Sequence, residues 1–174
     1  MPAGFDQLPA RDPETELLNV VVDTPKGSRN KYKWDDERGL WRLRKVLPLG
    51  ASFPFDFGFV PSTRGGDGDP LDVLILMDEA TFPGCVVSAR LIGVLEARQT
   101  EKRKSMRNDR LVAVVETELN PPEVLSLSEL DRHRLDGIEH FFVSYNEMEG
   151  RRFEPLGRKG PTVAHRLVRR ATIR

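Results

Sequence analysis

The chain has 174 residues, 39% hydrophobic and 31% charged, and its 27 basic and 27 acidic residues balance to a formal net charge of zero. That composition excludes a disordered chain, lends nothing to a polyanion-binding role, and contains no apolar run near the ~20 residues needed to span a bilayer. One domain over 1–174 is expected from the length, and a cytoplasmic location from an N-terminus, MPAGFDQLPARDPETE, without the layout of a signal peptide.

Residues 1–16 carry three prolines and scattered charges without periodicity, and read as an irregular N-terminal arm. LLNVVVD (17–23) is aliphatic and β-branched, as a first strand should be. NKYKWD (30–35) alternates, and a charged turn at Glu37-Arg38-Gly39 leads into LWRLRKVL, which predicts a hairpin. In FPFDFGFVP, Phe53, Phe55, Phe57 and Phe59 recur at period two and therefore share one face if extended, as a core-facing stripe. DVLILM (72–77), CVVSARLIGVLEA (85–97) and RLVAVVE (110–116) complete a set of short strands. The single cysteine, Cys85, precludes an internal disulfide and a multi-cysteine zinc site, and its neighbours make it a buried structural thiol. Helical spacing appears late, in SLSELDRHRLDGIEHFFVSYNEMEG, with Ser128 as N-cap and Leu130, Leu135, Ile138, Phe141 and Phe142 as the apolar stripe. Residues 151–174 form a basic segment that receives no assignment. Strands first and one main helix near the C-terminus indicate an α+β fold, and the short strands with Gly and Pro turns suggest a small closed barrel.

Chemistry concentrates in GDGDPLDVLIL (66–76), where Asp67, Asp69 and Asp72 crowd the entrance of an aliphatic strand. Like charges that close repel one another strongly unless a cation shares the site, and hard oxygen ligands suit magnesium, with manganese as the alternative. Magnesium commonly uses few carboxylates and fills its remaining positions with water and substrate phosphate, which points to a phosphate substrate. A calcium EF-hand loop is excluded, since it wants an oxygen ligand where Leu71 stands and glycine where Asp72 stands. A solvated acidic turn is the bland competitor. His133 and His140, seven apart on the helix, read as surface or subunit-contact residues rather than ligands.

GDGDPLDVLIL resembles the signature of the family I soluble inorganic pyrophosphatases, Asp-x-Asp-Pro-apolar-Asp followed by a hydrophobic strand. The likeness runs in order through VVVDTPKGSRNKY, FPFDFGFVP, GVL, RLVAV and HFFVSY, about residues 17–147. It implies a five-stranded OB-like closed β-barrel with flanking helices, magnesium-dependent hydrolysis of inorganic pyrophosphate, and assembly as a homo-oligomer, often a hexamer. By the same resemblance Asp67 and Asp72 fall at metal-ligand positions, and Asp69 at the carboxylate that takes a proton from the metal-bound water. Asp23 takes the place of an outer-sphere acidic residue; Lys31 and Tyr145 take those of the phosphate-binding lysine and tyrosine.

The departures from that pattern are specific. Lys45 stands where arginine is common, Phe53 and Phe57 where tyrosines are, and Asn146 where a lysine is expected. Arg158 or Lys159 is a candidate replacement for that lysine. EARQTEKRKSMRNDR (96–110) is longer and more basic than the family pattern: Arg110 falls at a lysine position, Asn108 at an aspartate position with Asp109 displaced by one, and Gln99 near another aspartate, with Glu101 the nearest acid. Lys31, Lys45 and Arg110 are thus the expected phosphate clamp, and Asp109 a candidate metal ligand. Two alternatives stay open: a weak or inactive pyrophosphatase-like protein or organic pyrophosphate hydrolase, and an OB-type nucleic-acid-binding module using the phenylalanines and the basic loop.

Overall fold

The computed structural model describes residues 4–173. Its strands are β1 (Leu18–Thr24), β2 (Asn30–Asp35), β3 (Leu40–Val46), β4 (Asp56–Phe59), β5 (Asp72–Leu76), β6 (Val86–Glu101), β7 (Lys104–Arg107), β8 (Arg110–Val115) and β9 (Arg152–Lys159). Two α-helices, α1 (Arg132–Glu147) and α2 (Pro161–Ala171), pack on them. Strands β1, β4, β5, β8 and β6 pair in that order, and β6 pairs back to β1, so five strands close a ring and satisfy each other's edges. Every pairing in it is antiparallel except β5 with β8. The expected α+β class and five-strand closure are therefore present. β6 is long enough to serve the ring with its first part and to carry β7 and β9 on its second. β2 and β3 form a separate hairpin, as predicted.

The unbroken VLIL of β5 has a physical reason, because both of its faces are buried. Val73 and Ile75 join one core with Val20, Val22, Leu111, Ala113 and the α2 residues Ala164 and Val168. Leu74 and Leu76 join a second core with Val112, Ile92 and the α1 residues Leu135, Ile138 and Phe142. Alternate residues of one strand thus serve two cores, which leaves no polar position to mark the alternation. Close approach also explains a glycine: a Cβ on Gly58 in β4 would meet the Val21 carbonyl oxygen of β1 at 2.2 Å.

Several expectations need correction. The long helix does not begin at Ser128. Ser126 instead caps a short 3-10 turn, Leu127–Glu129, and Asp131 caps α1 by accepting from the amides of His133 and Arg134. The phenylalanine stripe is not one strand: Phe53, Phe55 and Phe57 enter the α1-side core, whereas Phe59 packs edge-on against Phe5. Cys85 precedes β6 and is only partly buried. The basic 98–110 segment is no open loop but a β-hairpin, β6 to β7, turning at Lys102 and Arg103 with positive φ. The unassigned tail forms β9 and α2.

Asp56 resembles a site residue by type but serves the fold. It is fully buried and accepts from the Lys26 amide at 2.7 Å, the Thr81 amide at 2.9 Å and the Thr81 hydroxyl at 2.5 Å, tying two loops to β4. Asp56→Ala is expected to destabilise the protein by about 3 kcal/mol, because three donors lose their acceptor in the interior. Urea unfolding checks this, and a loss under about 1 kcal/mol would mean that water replaces the carboxylate.

Candidate active site

The acidic loop is built as a pinned turn. Gly65 N–H donates to the Asp69 carbonyl at 2.7 Å, Gly68 N–H to the Gly65 carbonyl at 3.1 Å, and the Asp69 amide to Asp67 Oδ1 at 3.1 Å. Gly68 at φ +90° occupies backbone space that other residues resist. The end of the chain clasps this loop: the Arg64 amide donates to the Ala171 carbonyl at 2.8 Å, and the Ile173 amide to the Ser62 carbonyl at 2.9 Å. The C-terminal segment, to which sequence pattern gives no element, therefore braces the loop that carries the aspartates.

At the α1-side mouth of the ring the charged groups meet. Arg110, almost wholly buried at the start of β8, donates through Nη1 to both Asp72 Oδ2 and Asn108 Oδ1. Its guanidinium carbon lies 5.4, 5.6 and 6.0 Å from the ring centres of Phe142, Phe153 and Phe57. Its Nε is buried with no protein partner, a donor left over for water or an anion. Lys31 pairs with Asp23 Oδ1 at 3.4 Å and stands 4.5 Å from the Phe57 ring centre and 5.4 Å from that of Phe53. Phe53 and Phe57 thus hold a lysine by their faces. Burial raises the Asp23 carboxyl, and the Asp72 charge adds to this, while Lys31 and the Thr24 hydroxyl oppose it. Burial likewise pushes the Tyr145 phenol up to about 12, so it stays a hydrogen-bond donor at neutral pH.

Lys45 ion-pairs with Glu149 and lies 5.1 Å from the Tyr145 ring centre. Burial, and after it the neighbouring cations Lys31, Arg151 and Arg44, lower it to about 8. Arg151 is a site cation that sequence reading missed. It sits just past α1, ion-paired to Glu149 at 3.2 Å and 3.3 Å from Glu101, and close enough to act on both Lys45 and Tyr145. Arg151 thus brings a cation to the Tyr145 side of the mouth, next to the position where Asn146 carries no charge. Arg158 is held by Asp136 and Glu139 of α1, and Asn146 is buried, donating to the Phe142 carbonyl at 2.8 Å.

Two predicted residues have partners away from Asp72. Asp69 is exposed and meets Lys33 at 3.7 Å. Asp109 accepts from the Ala97 amide at 2.9 Å and from Arg107 at 3.0 Å, so its carboxylate is spent on the base of the β6–β7 hairpin. Both Asp109 and Asn108 nonetheless line a cavity of about 90 Å³ with Asp67 and Asp72. Asn108 Nδ2 also donates to Gln99 Oε1 at 2.7 Å. Gln99, Asn108 and Arg110 thereby form a hydrogen-bonded chain ending on Asp72, where carboxylates would make a cation cage.

Among the described residues no three acidic, histidine or cysteine side chains converge to hold an ion unaided. An ion held through two carboxylates, water and substrate phosphate needs no such group. Asp67 has no cationic partner among the described residues. Although it is solvent-exposed, the loop around it desolvates its carboxyl and raises it, and Asp72 and Asp69 add to this. The donor set therefore fits a cation at Asp67 and Asp72, and fits no further one at Gln99 and Asn108.

Carboxylates on one loop and buried cations from several strands, meeting at the mouth of a small strand ring, are the equipment of a hydrolase for a multiply charged phosphate. The family model described as inorganic pyrophosphatase matches residues 20–174. An inorganic pyrophosphatase of Synechocystis sp. is 40% identical over 155 residues, covering 89% of each chain, and one of Streptomyces coelicolor is 39% identical over 158 residues, covering 88% of this chain and 93% of the relative. The crystal structure of the inorganic pyrophosphatase from Thermus thermophilus superposes with a TM-score of 0.87 at 30% identity over 97% of both chains. The chain belongs to the inorganic pyrophosphatase family and hydrolyses inorganic pyrophosphate, an activity that depends on a divalent metal. Neither the inactive nor the nucleic-acid-binding alternative is favoured. No helix among the described residues is long and apolar enough to cross a membrane.

Proposed function

We propose that pyrophosphate is bound at the α1-side mouth with one phosphate against Lys31, Arg110 and Tyr145 and the other toward Lys45 and Arg151. The observation that carries this reading is Arg110, a buried guanidinium with a spare donor, bonded to the metal-site aspartate Asp72. Asp67 and Asp72 hold the metal, magnesium with manganese as an alternative. When bound, it neutralises phosphate charge and acidifies the attacking water. Asp69 accepts the water's proton, placed beside Asp67 by the turn that joins them. Asp23 orients Lys31 toward the substrate rather than touching the metal. The Tyr145 hydroxyl donates to a phosphate oxygen and remains protonated throughout. Asp109 holds the hairpin base and binds no metal. The whole 1–174 chain acts as one domain in the cytoplasm, as a homo-oligomer that covers exposed apolar residues such as Leu43, Val46 and Leu49.

Phosphate release from pyrophosphate, with magnesium and then manganese titrated, tests the assignment together with Asn108→Asp. A carboxylate at 108 draws Arg110 away from Asp72 and frees the Asp72 oxygens for the cation. The variant is expected to lower the half-saturating magnesium concentration several-fold, about 1 kcal/mol. An unchanged magnesium requirement would mean that Arg110 does not compete with the metal for Asp72.

A further inference from the structure

A second cavity is larger than the one lined by Asp67 and Asp72. It lies between α2, the acidic-loop entrance and the β6–β7 hairpin, has a volume of about 450 Å³, and falls in the range of ~300–1,000 Å³ that small-molecule sites occupy. Its floor is apolar, made by Leu71 and Val94 of the core and by Val163 and Leu167 of α2. Four guanidiniums line it: Arg64, Arg107, Arg166 and Arg170. Only Arg107 is neutralised, by Glu96 at 3.2 Å and Asp109 at 3.0 Å. Arg64, Arg166 and Arg170 make no ion pair among the described residues, although Glu96 and Asp109 line the same cavity.

Arg166 and Arg170 are one helical turn apart on α2, so both project over the same floor. Three unpaired, planar, permanently charged forks around an apolar hollow are what a phosphate chain attached to a flat ring would require. Pyrophosphate alone would satisfy the arginines and leave the floor unused. We propose that this cavity binds a nucleoside polyphosphate, with its phosphates on Arg64, Arg166 and Arg170 and its base on Leu71, Val94, Val163 and Leu167. The cavity shares Gly65, Gly66, Leu71, Arg107, Asp109 and Leu167 with the small cavity but not Asp67 or Asp72, so its occupant adjoins the catalytic mouth without reaching the metal-site aspartates.

The test is calorimetric titration of the full chain with ATP in EDTA, where no divalent ion supports binding at the aspartates. Saturable binding of one ATP per chain is expected, weakened about tenfold for each arginine removed in Arg166→Ala and Arg170→Ala. Both positions are exposed, so the double variant should keep its thermal midpoint and its pyrophosphate turnover. Tripolyphosphate should bind the parent protein at least about tenfold more weakly than ATP, since it leaves the apolar floor empty. The proposal is overturned if ATP does not bind, if the double variant binds it as tightly as the parent, or if tripolyphosphate matches ATP.

Discussion

Asp69→Asn is expected to lower kcat for pyrophosphate by about 10³-fold, the range of a lost general base, with little change in thermal stability. The structure makes this a clean substitution. Among the described residues the Asp69 side chain has one charged partner, Lys33 at 3.7 Å, and both groups are exposed, so their pairing contributes at most ~1 kcal/mol. The contacts that shape the turn come from the Asp69 backbone, through its amide to Asp67 and its carbonyl to Gly65, and asparagine keeps both. Stopped assays of phosphate release, paired with thermal melting, separate the two effects. Retention of near-parent turnover would remove Asp69 from the proton-transfer step.

Arg110→Ala should fail in both fold and function. Arg110 is 5% exposed, and its removal leaves Asp72 and Asn108 without their shared donor and opens a gap between Phe57, Phe142 and Phe153. Breaking a largely buried pair while creating a cavity predicts a loss of about 3 kcal/mol, and loss of a phosphate-binding cation predicts at least ~10²-fold lower kcat/KM. Arg110→Lys keeps the charge but not the planar fork, and should recover most of the stability and only part of the activity. Urea unfolding and steady-state kinetics on the two variants measure this. An alanine variant as stable as the parent would show that Asp72 and Asn108 find water instead.

Much of this architecture was readable because its residues are monotonous where both faces are buried and alternating where one is. VVVD, DVLIL and RLVAV announce themselves, and the Asp-x-Asp-Pro-Leu-Asp spacing marks the loop. The tail was not readable for a local reason. β9 carries Pro155 and Gly157 within eight residues and shifts register against Glu96 and Ala97, so its alternation is broken. In α2 the buried Ala164 and Val168 are small and sit among four basic residues, which hides their four-residue spacing. The misplaced helix start has a similar origin: Ser126, Ser128 and Asp131 all carry cap chemistry, and only the backbone path decides among them. At the site, residue types were legible and partners were not. Asn108 and Gln99 were visible as missing acids, but their bond to each other, and the capture of Asp72 by Arg110, depend on strands brought together from distant parts of the chain.

The single parallel pairing, β5 with β8, carries a consequence for how the chain reaches its working state. Val73–Leu76 cannot be flanked on its second side until Leu111–Val114 has been synthesised, and β1 closes on β6 across a separation of about seventy residues. Such non-local pairings impose a large loop-closure entropy before any contact repays it, and place refolding in the milliseconds-to-seconds range of topologies dominated by distant strand pairs. Refolding completed within the roughly millisecond dead time of stopped-flow mixing would contradict this. Asp72 and Arg110 begin those two strands, so the pair at the catalytic mouth forms with the parallel seam on which the ring depends. A nascent or truncated chain ending before residue 110 therefore carries the aspartate loop without a site, and acquires activity only when the ring is complete.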